Sequence, residues 1–131
     1  MNTERHRANK YGYPSPIHDC IQDTHLSFDT AIEHLLRYEK NNLHHNRVEI
    51  MCASHNQQSI EKTVQMMEEL QTDADVVHFA QLLGMSDNLT YPLGSNGYKS
   101  YKYAPYGKLE EVIPYLMRRL EENSNVFGNA K

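Results

Sequence analysis

The sequence predicts an α/β fold built on a parallel sheet. Two short, mainly apolar runs, residues 48–53 and 76–83, have the length and β-branched content of buried strands. Helix-period segments precede the first run, separate it from the second and follow a third, residues 98–104, in which Tyr and Lys interleave after a long loop. Strands alternating with helices mean βαβ units, whose strands lie parallel. The chain of 131 residues is one domain in length. Three strands are nevertheless few for a parallel sheet that must cover its faces and edges, and a complete (β/α)8 barrel takes at least about 200 residues. The expectation is one partial domain, residues 1–131, the back part of something larger.

Each element has its own reason. Residues 1–10 are polar and rich in charge, a surface helix or tail. Pro14 and Pro16 bias Tyr13 and Ser15 away from helix, so residues 11–16 form an extended loop. Leu26, Phe28, Ala31, Ile32, Leu35 and Leu36 recur at helical spacing and predict a helix over residues 24–39. After the first strand, Ser59 is the expected cap of a helix with the face Ile60, Val64, Met67 and Leu70. Gly84 closes the second strand, and residues 86–97, rich in Asn, Gly, Ser and Pro, read as a loop. The final helix runs from about residue 108 to 122; Pro114 either kinks it or marks its first turn.

Composition excludes several functions. A net charge of −4 leaves no basic footprint for nucleic acid. Cys20 and Cys52 allow one bridge at most and no C-x-x-C pair, so reduced thiols are expected. No apolar run reaches the ~20 residues of a membrane span, and no signal-peptide core opens the chain. His44 and His45 are adjacent in a polar connector without a carboxylate partner on their element, so no metal site is expected.

Ligands of parallel α/β folds bind at the carboxyl ends of the strands. There the sequence places Ser54-His55-Asn56, then Leu82-Leu83-Gly84, then Tyr103. Ser, His and Asn can bond phosphate or ribose oxygens, but they equally make a turn that caps the next helix. On the last helix Tyr115, Arg118, Arg119 and Glu122 share one face at offsets of three and four. Two guanidinium forks beside a tyrosine could hold a carboxylate. Spacing alone favours an exposed face with an Arg119–Glu122 pair.

Longer stretches carry a resemblance. Tyr13-Pro14-Ser15-Pro16-Ile17, Ala53-Ser54-His55-Asn56, Gln81-Leu82-Leu83-Gly84-Met85, Pro92-Leu93-Gly94, Tyr101-Lys102-Tyr103-Ala104-Pro105-Tyr106-Gly107 and Tyr115-Leu116-Met117-Arg118-Arg119-Leu120-Glu121-Glu122-Asn123-Ser124 resemble proline dehydrogenase of the mitochondrial, eukaryotic type, in order and spacing, over nearly the whole chain. The resemblance implies the C-terminal part of a distorted (β/α)8, TIM-like barrel. It implies an FAD enzyme that oxidises L-proline to Δ1-pyrroline-5-carboxylate and passes electrons to a quinone. On it, Arg118 and Arg119 pair with the substrate carboxylate, Tyr115, Tyr103 and Leu82 wall the substrate, and Ser54, His55, Asn56 and Glu122 contact FAD. No residue of this chain is expected to be catalytic in its own right. The implied location is mitochondrial, at the matrix side of the inner membrane.

Residues 1–5 resemble the segment just after the family's fifth barrel strand, so the N-terminal half of the barrel and any transit peptide are expected to lie outside this sequence. Three strands do not close a barrel, and the chain alone is expected to hold FAD weakly or not at all. The alternative, from a different class, is an inactive remnant or a partner-dependent interaction protein.

Overall fold

The computed structural model describes the backbone of residues 2–41 and 48–128, with side chains over 4–41 and 48–120. His44 and His45 lie outside those residues. The order is α1 (Asn2–Tyr11), α2 (Ile21–Asn41), β1 (Ile50–Ala53), α3 (Gln57–Leu70), β2 (Val77–Leu82), α4 (Asp87–Ser95), β3 (Lys99–Tyr103) and α5 (Leu109–Gly128). The strands form one sheet in chain order, β1-β2-β3, parallel throughout. Ile50 pairs with Val77, and His78 with Lys99. This is the parallel α/β arrangement expected for part of a barrel.

Strand alternation divides the sheet. Ile50, Cys52, Val77 and Phe79 point to one side, where they are buried with Ile32 and Leu36 of α2, Ile60 and Met67 of α3, and Leu89 and Leu93 of α4. Phe79 meets Tyr98 edge to face at 5.9 Å. Cys52 Sγ lies 3.9 Å from Thr63 Oγ1, and burial raises its thiol pKa to about 11. The opposite, barer side is only partly covered: Met51, Tyr101 and Tyr103 are exposed there, while Ala80 between them is buried. At its amino end His78 Nδ1 meets the Tyr101 hydroxyl at 3.2 Å, and Lys99 pairs with Asp75 at 2.9 Å.

Two expectations are corrected, the cap of α3 and the loop over residues 86–97. The cap of α3 is Asn56, not Ser59: the Asn56 side chain accepts from Gln58 N–H and donates to Ser59 Oγ at 2.9 Å. Ser59 is buried in the first turn as its partner. Residues 86–97 hold a helix, α4, because Leu89, Thr90 and Leu93 find buried places against the sheet despite Pro92. The last helix runs through Pro114, with Val112 N–H donating to the Lys108 carbonyl a turn earlier. Among the described residues no helix is long and apolar enough to cross a membrane.

Candidate active site

Parallel strands bring their carboxyl ends to one edge of the sheet, and three connections leave from it. β1 passes through Ser54, His55 and Asn56 into α3, and β2 turns at Gly84 (φ +80°) and Ser86 (φ +55°) into α4. β3 runs through Pro105 and Gly107 into α5. α5 then lies beside the strand ends and closes a cleft of about 300 Å³ lined by His55, Leu82, Tyr103, Tyr115, Leu116 and Arg119, with Leu83 and Met85 on one flank. An adjoining hollow of about 410 Å³ shares His55, Leu82, Tyr103 and Arg119 and reaches Ser54. A wider hollow, about 700 Å³, lies between α3 and α4; its polar lining is amides and carboxylates such as Gln57 and Glu61, with no cation to receive an anionic ligand.

The aromatic wall is built by two elements. Tyr103 and Tyr115 meet with centroids 5.9 Å apart and planes 62° apart, an edge-to-face contact. The Arg119 guanidinium carbon lies 5.6 Å from the Tyr115 ring centre. That cation–π contact sets a planar, charged fork, the shape that matches a carboxylate, against apolar surface.

His55 is held from behind. Its Nε2 accepts the Leu82 N–H at 3.0 Å, which fixes the neutral tautomer with the proton on Nδ1. Burial first, and the charge of Lys102 second, lower its pKa below 6.5. The unfolded chain therefore binds this proton more readily than the folded one, so the stabilisation is complete above the ordinary histidine range and is lost as pH falls from 6.5 through the folded pKa. Thermal melts of the chain and of His55→Ala should differ more at pH 8 than below pH 6.5, the gap narrowing as pH falls. A gap that holds constant would show that His55 does not titrate in the folded state.

The structure thus brings together Arg119, Tyr115, Tyr103, Leu82 and His55, with Ser54 in the adjoining hollow. Arg118 is exposed on α5 and does not line the cleft, and Asn56 turns to its capping bonds. Glu122 lies on α5, its side chain outside those described. Met85 and Leu116 are wall residues that chemistry-based reading of the sequence misses. Their signals are positional: Met85 belongs to the strand-end turn, and Leu116 sits between Tyr115 and the arginines.

Comparison with known proteins agrees with this geometry. The family model "Proline dehydrogenase" matches residues 1–130. Proline dehydrogenase 1, mitochondrial, of Drosophila melanogaster is 38 % identical over 100 % of this chain and 20 % of its own length. Its human namesake is 42 % identical over 95 % of this chain and 20 % of its own. The human hydroxyproline dehydrogenase is 39 % identical over 100 % of this chain and 28 % of its own. The chain therefore spans about a fifth of the length of these two proline dehydrogenases. Among solved structures, proline utilization A (PutA) from Bdellovibrio bacteriovorus inactivated by N-propargylglycine superposes with a TM-score of 0.78 at 26 % identity, covering 93 % of this chain and 12 % of that one. From its whole length and its strand-end cleft, this chain belongs to the proline dehydrogenase family.

Proposed function

We propose that this chain supplies one wall and the carboxylate-binding helix of a site that oxidises L-proline to Δ1-pyrroline-5-carboxylate. The observation that carries the reading is the Arg119 guanidinium, set against Tyr115 in a cleft closed by Leu82 and Tyr103 at the carboxyl ends of parallel strands. Proline is a small zwitterion with an apolar ring. Arg119 pairs with its carboxylate, Leu82 packs on the ring, and the two tyrosines exclude water from the ion pair. Arg118, the residue before it on α5, is exposed and outside the cleft lining, so the carboxylate contact of this reading rests on Arg119.

The donor set fits a dinucleotide cofactor in part. Asn56 commits its side-chain oxygen to Gln58 N–H and its amide to Ser59. Ser54 Oγ accepts from Asn56 N–H but keeps its own proton to donate, and His55 keeps Nδ1–H. Both line the hollow beside the cleft, where phosphate or ribose oxygens of FAD would meet them. In this reading Ser54, His55 and Glu122 touch the cofactor, and Asn56 serves it by holding the turn. FAD, when bound, accepts the hydride from the ring carbon beside the proline nitrogen. The reading extends to a quinone as the next electron acceptor and to a mitochondrial location at the matrix side of the inner membrane, with strands from the rest of the barrel completing the sheet.

The experiment joins this chain to the preceding part of the Drosophila relative and titrates the purified fusion with L-proline. Loss of the flavin's visible absorbance supports the reading. A fusion that binds FAD but keeps its colour with L-proline overturns it. A fusion bleached only by hydroxyproline overturns the choice of substrate.

A further inference from the structure

Lys102 points away from the cleft, yet it acts on it. In β3 it is the neighbour of Tyr103, and strand alternation sends Tyr103 to the barer side of the sheet and Lys102 to the helix-covered side. Its side chain is only 20 % exposed. The ammonium donates to the Met85 carbonyl at 2.5 Å and pairs with Asp87 Oδ1 at 2.7 Å. Those partners bracket Ser86, a non-glycine residue in the left-handed region that makes no side-chain cap bond at the start of α4. A turn with that backbone persists only where its surroundings hold it.

Other bonds fasten the same turn at its two ends. Leu83 N–H donates to the Tyr103 carbonyl at 2.9 Å, and Thr90 Oγ1 donates to Gln81 Oε1 at 2.9 Å. Between them Lys102 is the charged group that grips the middle, where Leu83 and Met85 form the flank of the cleft. Its charge also acts on His55 across the strand ends.

We propose that Lys102 is a positioning residue, clamping the turn between β2 and α4 from behind so that Leu83 and Met85 stand as a fixed wall of the cleft. That the wall faces substrate rests on the reading of the cleft as the proline site; the clamp does not.

The test is hydrogen exchange on the 131-residue chain and its Lys102→Met variant. Charge-assisted bonds of this kind hold a segment closed by a factor of about 10 to 150. The amides of residues 83–87 should therefore exchange at least about 10-fold faster in the variant, while those of β1 and α3 keep their rates. Lys102→Arg should restore most of the protection, and the His55 ring should titrate at a higher pH in Lys102→Met. Should Lys102→Met fail to fold, Asp87→Asn removes the ion pair alone and should loosen the same amides by a smaller factor. Uniform acceleration across the sheet, or none anywhere, overturns the proposal. In the fusion with the Drosophila relative, Lys102→Met should raise the proline KM more than it lowers kcat. A fusion inert towards proline would remove the substrate reading, and the exchange pattern would still decide the clamp.

Discussion

Replacing Arg119 with Met should lower proline affinity and kcat/KM by about 10- to 150-fold, because a charge-assisted bond in a partly dry site contributes about 1.5–3 kcal/mol and each 1.4 kcal/mol is tenfold. Met keeps much of the stem that lies against Tyr115, so the loss isolates the donors rather than the packing. FAD content should hardly change, since Ser54 and His55 stand on a different connection from α5 and the substitution leaves Glu122, the proposed cofactor contact on α5, in the sequence. The measurement is a proline titration of the flavin in the fusion described above, with and without the substitution. If both bleach at the same proline concentration, the carboxylate is held elsewhere and the site assignment fails.

The second large effect is on the fold. Phe79 is fully buried at the centre of the sheet's covered side and meets Tyr98 edge to face. Truncating it to Ala should cost about 3–5 kcal/mol, the sum of lost transfer energy and the cavity left behind. Domains of this size have about 5–15 kcal/mol in all. Urea denaturation of Phe79→Ala, followed by circular dichroism, should show a midpoint far below that of the unmutated chain, or no cooperative transition. Met51→Ala is the control: its side chain lies on the barer side of the same sheet and is exposed, so its midpoint should not move. A Phe79→Ala midpoint as unmoved as that of Met51→Ala would mean that this face is not the folding core.

What the sequence shows of this molecule follows from how local each signal is. β1, β2 and β3 are legible because a short β-branched run, or a run of interleaved Tyr and Lys, is a property of neighbouring residues. α2 and α3 are legible for the same reason, through their helical spacing. α4 is not. Its start, Ser86, carries no side-chain cap bond, its interior holds Pro92 and Gly94, and what makes it a helix is the burial of Leu89, Thr90 and Leu93 on strands elsewhere in the chain. The cap of α3 is legible in kind but not in place: Asn56 and Ser59 are both capping residues, and the structure uses them together. In the site, Arg119 and Tyr115 are visible as a helix-face pattern. That Arg119 faces the cleft while Arg118 faces outward depends on how α5 lies over the strand ends, which no spacing on α5 reports.

The sheet's strand order bears on how the molecule comes into being. Each pairing joins strands that are consecutive in sequence, so each closure spans one helix and its two connections and no more. Loop-closure entropy stays small at every step, and no strand must wait for a distant partner before it can dock. A chain emerging from the ribosome can therefore lay down β1 with α3, add β2, and then add β3 in the order of synthesis. The cleft comes last, because α5 follows β3, and a nascent chain presents it only when the sheet beneath it is already in place.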